Sequence, residues 1–147
     1  VSFRVFIEDE AGSTIKHHYD EKALRHLFTE EVARPYPYPY GFVLGTTSGD
    51  GDNVDCFVIT DAALRRGDIV DCTPIALLEQ TEAGEINHNV LAVPAGEEER
   101  LPRAAEQALR DFILHFRDHQ PEIVNTAGRL LSRAAAEAFV EECRDPV

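Results

Sequence analysis

Apolar residues recur at alternate positions in short runs as far as Val93, then at every third or fourth position from Leu101 onward. That change of period constrains the fold more than any other feature, because strands that come first and helices that come last make an α+β domain. From Val1 to Ile7, Phe3, Val5 and Ile7 alternate with Ser2 and Arg4, which reads as a half-buried strand ended by Glu8. Ala11-Gly12-Ser13 reads as a turn into an extended piece over Ile15 to Tyr19, and Glu21 to Phe28 as a short helical turn. Further strands are expected over 56–60, 69–80 and 90–93, with a turn at Ala83-Gly84. Pro74 has no amide donor, so it marks an edge or bulge in the long strand.

In the last third, Leu101, Ala105, Ala108, Leu109, Phe112 and Phe116 form one helical stripe, with Pro102 in the first turn. A second helix is expected from Ala127 to about Cys143, capped by Thr126 and presenting Leu130, Leu131, Ala134, Ala138 and Phe139 to the core. A small closed or nearly closed barrel with the helices packed outside would bury both stripes and hide the strand edges. Residues 1–147 suit one domain of this size.

A net charge of -13 repels nucleic acid and anionic membranes, and it favours cations near the acidic clusters. Cys56, Cys72 and Cys143 form neither a CxxC pair nor an even set, which argues against disulfide staples and structural zinc and for a reducing cytoplasm. The chain shows no leader pattern and no apolar stretch of membrane-spanning length, so it is expected to be soluble and unsecreted.

The chemistry is concentrated in Gly49-Asp50-Gly51-Asp52-Asn53-Val54-Asp55, which follows Tyr36-Pro37-Tyr38-Pro39-Tyr40-Gly41. The prolines make 34–40 a stiff extended loop. Asp50, Asp52 and Asp55 are close enough to repel strongly, and a hard divalent ion would relieve that repulsion. Magnesium, which keeps several waters, suits a partial carboxylate set completed by a phosphate ligand. An EF-hand is excluded, because counting from Asp50 puts Asp55 where the obligatory glycine belongs. The competing reading is a solvated acidic turn, since Asp, Gly and Asn are common turn formers.

Together, Tyr36-Pro37-Tyr38-Pro39-Tyr40-Gly41 and Asp50-Gly51-Asp52-Asn53-Val54-Asp55 resemble the YPxNYG element and DGDPxD loop of the magnesium-dependent soluble inorganic pyrophosphatases. The likeness extends through Val5-Phe6-Ile7-Glu8, Gly12-Ser13, Lys16, Gly67-Asp68-Ile69-Val70, Thr73-Pro74-Ile75-Ala76 and Leu91-Ala92-Val93-Pro94. The resemblance implies an OB-like closed β-barrel with two C-terminal helices, a homo-oligomer (hexamer or dimer), and hydrolysis of pyrophosphate to two phosphates by a water activated between metal ions. The cofactor implied is Mg2+, with Mn2+ or Zn2+ as alternatives. By matching position, Asp50, Asp55 and Glu8 would face the metals, with Glu82 in place of an aspartate ligand. Asp52 would orient or deprotonate the water. Lys16 and Tyr40 would contact phosphate, and Tyr36 opens the same substrate-binding element.

The pattern breaks on its cationic side. Asn87 and Asn89 stand where the family has an aspartate ligand and a phosphate-binding lysine. An asparagine carbonyl at 87 can still coordinate a metal but neutralises none of its charge. Ala83 replaces a site acid, His18 a glutamate and Pro39 an asparagine. The family's arginine aligns to Phe28, with Arg25 or Arg34 as substitutes, and its Tyr-Lys pair aligns to Gln120-Pro121. Losses of this kind weaken activity on pyrophosphate. Two further readings remain: a catalytically impaired phosphate- or metal-binding or scaffold protein, and a hydrolase of a related phosphoanhydride.

The other motifs carry weaker signals. His17-His18 point opposite ways on a strand. His115 and His119, one helical turn apart, lack the acid of an HExxH motif and read as surface or packing residues. The three tyrosines suit a packed loop with hydroxyls near the cleft better than base stacking. Glu97-Glu98-Glu99 reads as a solvated helix start.

Overall fold

A computed structural model describes residues 2–147, so the expected strand start at Val1 lies outside the described residues. The elements are β1 (Phe3–Asp9), β2 (Ile15–Asp20), β3 (Arg25–Glu31), β4 (Tyr40–Val43), β5 (Val54–Val58), β6 (Ile69–Glu82), β7 (Glu85–Ile86), β8 (Asn89–Pro94), α1 (Arg103–His115), β9 (Asn125–Leu131) and α2 (Arg133–Glu142).

Strands β1, β4, β5, β8 and β6 pair in that order, and β6 pairs back to β1 through Phe3↔Cys72 to Phe6↔Ile69, which closes a five-stranded barrel. All of these pairings are antiparallel except β5 with β8. The OB-like α+β architecture expected from the sequence is therefore present. Its closure depends on β6, a strand of 14 residues that serves β1 with its first residues, β8 with its middle and β9 and β7 with its end. The bulge that lets it bend lies between Pro74 and Ala76, where proline cannot donate to the ladder.

Alternation sorts the core into two sets. Val5 and Ile7, Val54, Cys56 and Val58, and Val90 and Ala92 pack together with Ala136 and Val140 of α2. The intervening Phe57, Ile59, Leu91 and Val93 pack instead with Tyr36, Tyr40 and α1 residues Ala105, Leu109, Phe112 and Ile113. The first set comes from one face of every barrel strand and fills the interior; the second lies between the barrel wall and α1.

Two expected helical segments are strands. The 21–28 segment holds only a turn at 21–24, after which β3 pairs with β2 as a separate hairpin. Leu24, at φ 54, supplies the left-handed turn residue. The expected second helix is split: β9 pairs Leu130 and Leu131 with Leu78 and Leu77 on the free edge of β6, and Ser132, not Thr126, caps α2 by accepting from Ala135 N at 3.2 Å. Capture of an open strand edge outweighed a helical period that the same apolar residues also satisfy. Glu97, Glu98 and Glu99 precede α1 in irregular chain, and α1 ends at His115, so His119 is not on its face.

The tightest backbone approach lies between β1 and β4. A Cβ on Gly41 would stand 1.8 Å from the Phe6 carbonyl oxygen, so only glycine lets these strands pair. Gly41→Ala should destabilise the protein by about 3 kcal/mol, read as a lowered urea midpoint.

Candidate active site

A cleft of about 240 Å³ opens beside the barrel, lined by seven carboxylates, Glu8, Glu21, Asp50, Asp52, Asp55, Glu82 and Glu85, and by two cations, Lys16 and Arg117. Each acid is delivered by a distinct local device. Along β1, Ile7 pairs with Gly41 and Asp9 with Tyr40, so Glu8 is the extra residue of a bulge, a feature that re-aims a side chain. Fully buried Asp9 accepts from His17 N at 2.7 Å and faces His17 Nδ1 at 3.0 Å. That contact fixes β2 against β1 and so sets Lys16, whose ammonium lies 5.0 Å from the Tyr40 ring centre.

The acidic loop is organised by its own groups. The Asp50 carboxylate accepts from Ser48 Oγ at 2.7 Å and from Asp52 N at 2.9 Å, and Gly51 takes φ 88. Beyond it, β5 carries Asp55 opposite Phe42 on one side and Asn89 on the other. Asn53 stands where the DGDPxD loop has proline, and its amide, which proline would lack, donates to Glu21 Oε1 at 2.9 Å. Glu21 is thereby held from the β2–β3 turn against the acidic loop.

Glu8, Glu21 and Asp55 present carboxylate oxygens that all lie within 4.8 Å of one another. Burial is the main cause of their protonation behaviour: Glu21 is pushed up to about 8 and Asp55 to about 7, each also raised by neighbouring acids. Glu8 is raised too, by burial first and then by Glu21 and Asp55 against the opposing pull of Lys16. Asp52 shifts upward through burial and the charge of Asp50. Three carboxylates sharing one corner, Glu8 buried and Glu21 and Asp55 partly so, form an all-oxygen donor set that fits a hard divalent cation, which would hold all three ionised at neutral pH.

Eight of the residues singled out from the sequence, Glu8, Lys16, Tyr40, Asp50, Asp52, Asp55, Glu82 and Asn87, line this one cleft. Tyr36 does not. It is buried in the core against Tyr40 and Phe112, with ring centres 5.6 and 4.6 Å away, because its backbone is pinned by Tyr36 N to Ser13 O and by Gly12 N to Tyr36 O. Its hydroxyl is buried behind Tyr40 with no hydrogen-bond partner among the described residues. Asn89 is also withdrawn: it is buried and donates to Gln80, which donates in turn to Asn125 Oδ1 at 3.1 Å. Phe28 stacks on His18 with ring centres 4.3 Å apart, and neither Arg25 nor Arg34 lines the cleft.

Sequence reasoning missed Glu21 and Arg117. Glu21 was hidden by the helical reading of 21–28, whereas a hairpin reading puts it at the turn facing the acidic loop. The one signal for Arg117 was its place just past the apolar stripe, next to Phe116. Arg117 Nη1 donates to Glu30 and to Gln120 Oε1, the latter at 2.9 Å. His18 Nε2 lies 3.0 Å from Glu30 Oε2. Burial and the charges of Lys16 and Arg117 bring His18 down to about 4, so it is neutral at pH 7 and leaves the charge of Glu30 to Arg117.

The inorganic pyrophosphatase family model matches residues 5–147. Inorganic pyrophosphatase from Saccharolobus solfataricus is 32% identical over 130 residues, covering 81% of this chain and 74% of that protein. The enzyme of the same name from Nanoarchaeum equitans is 27% identical over 150 residues, 95% of this chain and 94% of its own. The crystal structure of inorganic pyrophosphatase from Thermus thermophilus superposes with a TM-score of 0.89 at 23% identity, covering 97% of this chain and 88% of that one.

Folded-state values for Glu21 and Asp55 near 8 and 7 lie above their ordinary 4.5 and 3.8. Each group therefore contributes stability below about pH 4, and that contribution is lost as pH rises through the folded value. In calorimetry without metal, these groups should lower Tm between about pH 5 and pH 8. Magnesium should raise Tm much more at pH 8 than at pH 5, and its apparent affinity should climb about tenfold per pH unit for each proton displaced. Glu21→Gln should raise the metal-free Tm at pH 8 and shrink the magnesium shift.

Proposed function

We propose, from the fact that the chain belongs to the inorganic pyrophosphatase family, that it hydrolyses pyrophosphate to two phosphates in the acidic cleft. The observation that carries this reading is the convergence of Glu8, Glu21 and Asp55 on one corner of a cleft that also holds Lys16, Tyr40 and the acidic loop. A bound divalent ion supplies charge neutralisation and lowers the pKa of a water.

This chain's own groups do the rest. Glu8, Asp50, Asp55 and Glu82 face the cation, joined by Glu21 and by the uncharged carbonyl of Asn87. Asp52 is the general base. Its upward shift brings it nearer the range in which a carboxylate can accept a proton from water at neutral pH. Lys16 and Tyr40 stand beside Asp55 and Glu8 and present an ammonium and a hydroxyl to phosphoryl oxygens. The oxygen-rich donor set supports magnesium, with manganese or zinc as weaker alternatives. The chain is further taken to work as a homo-oligomer, dimer or hexamer, a reading supported by the family resemblance alone.

Withdrawal of Asn89 and the loss of cations at Phe28 and Pro121 support a turnover weaker than a full cationic grip would give. Phosphate release from pyrophosphate should require added magnesium. Asp52→Asn should lower kcat by about 100-fold or more while leaving the magnesium-induced Tm shift in place. Metal binding without any turnover in the parent protein would reject the hydrolase reading in favour of a binding protein.

A further inference from the structure

Arg117 is an unusual cation for an acid-lined cleft because only one side of its guanidinium is used by the protein. It follows the last turn of α1, lies over the Phe116 ring at 5.1 Å and is 11% exposed along its side chain. Nη1 donates both to Glu30 and to Gln120. Among the described residues no hydrogen-bond partner falls on Nε, which is buried, and its nearest charged neighbour, Glu82 Oε1, stands at 3.6 Å. Guanidinium has five donors in a rigid fork. Anchoring Nη1 leaves the Nε–Nη2 edge as the paired donor face that matches two oxygens of a phosphoryl group.

A purely structural ion pair would not leave a buried donor unpartnered, because that costs the full desolvation of the group. We propose that the Nε–Nη2 edge of Arg117 grips a phosphoryl group of the substrate, with Glu30 and Gln120 as the residues that position it. The proposal rests on the pyrophosphate reading and deepens it. Lys16 and Arg117 are the only cations lining the cleft among the described residues, so a polyanion entering it has few other positive partners. The sequence positions from which cations were lost do not supply a third: Phe28 is stacked on His18 and Asn89 is turned into the Gln80 network. Gln120, aligned to a tyrosine that the family resemblance assigns to phosphate, instead holds the arginine that replaces it. Glu82 is the natural competitor for the free edge, and the 3.6 Å separation leaves that contact weak enough to be exchanged for phosphate.

Steady-state hydrolysis of magnesium pyrophosphate by the full chain tests the idea with Arg117→Met, Arg117→Lys and Gln120→Ala. Arg117→Met should lower kcat/KM about 100-fold, and Arg117→Lys, which keeps charge but not the fork, about 10-fold. KM should rise for Gln120→Ala. The Tm shift produced by magnesium alone should be unchanged in all three, which a general structural role would not allow. Added guanidinium ion should restore part of the activity of Arg117→Met, and methylammonium should not. Turnover by Arg117→Met within about twofold of an active parent, or equal rescue by methylammonium, would overturn the assignment. A parent without turnover rejects the hydrolase reading and not this one, which calorimetric titration with magnesium pyrophosphate then decides. Tighter binding by the parent than by Arg117→Met supports the grip, and equal or absent binding overturns it.

Discussion

Desolvation of carboxylates crowded into one corner, with the repulsion of neighbouring acids added to it, is the constraint on which the rest of this molecule turns. Glu8, Glu21 and Asp55 come from a strand bulge, a hairpin turn and a barrel strand, and nothing local forces them together. They meet because the bulge re-aims Glu8, the Asn53 amide holds Glu21 against the acidic loop and β5 carries Asp55 to the same corner. In the absence of a cation these acids keep protons towards the neutral range, and their raised values record burial first and neighbouring acids after it. The fold therefore carries an electrostatic cost whose natural release is a divalent ion.

The scaffold that bears this cost is built from ordinary means. Closure removes sheet edges, α1 covers one side of the wall through Leu109, Phe112 and Ile113, and α2 closes on the interior set through Ala136 and Val140. The departures from regular pairing that aim side chains or let strands close fall at single residues: the extra residue Glu8, the glycine at 41 beneath Phe6, and the bend at Pro74. Glu8 and Asp55 sit on barrel strands, whereas Asp50 and Asp52 sit on a loop held by Ser48 and by its own amides. The acids of the strands and those of the loop thus differ in how tightly they are held.

Strands β1, β5, β6 and β8 and helix α1 were legible because alternation and the helical stripe each state one period over enough residues, whereas β4, only four residues long after the proline loop, was not. Segments 21–28 and 127–131 were misread for a shared reason: short apolar patterns satisfy both periods, and only a pairing partner, β2 in one case and the edge of β6 in the other, decides between them. The acidic loop was readable as chemistry since its residues are adjacent in the chain. Glu21 and Arg117 were not, being 34 and 62 residues from Asp55 and joined to the cleft only by tertiary contact. Tyr36 is the converse case, a motif position whose ring the backbone turns inward.

The substitutions that looked like erosion from the sequence form an exchange in three dimensions. An acid is absent at Asn87, and one is present at Glu21, held by an amide that exists because residue 53 is asparagine. Cations are absent at Phe28, Asn89 and Pro121, and one is present at Arg117, steadied by residues that would otherwise look like losses, Gln120 directly and His18 through Glu30. Each gain lies on a different element from the loss it offsets, so position-by-position comparison scores only the losses. Charge balance within the cleft, unlike the identity of any single position, is set by the sum of the groups facing it. A polyanion and its counter-ions respond to that sum, which is why a site can keep its chemistry while its residues are redistributed.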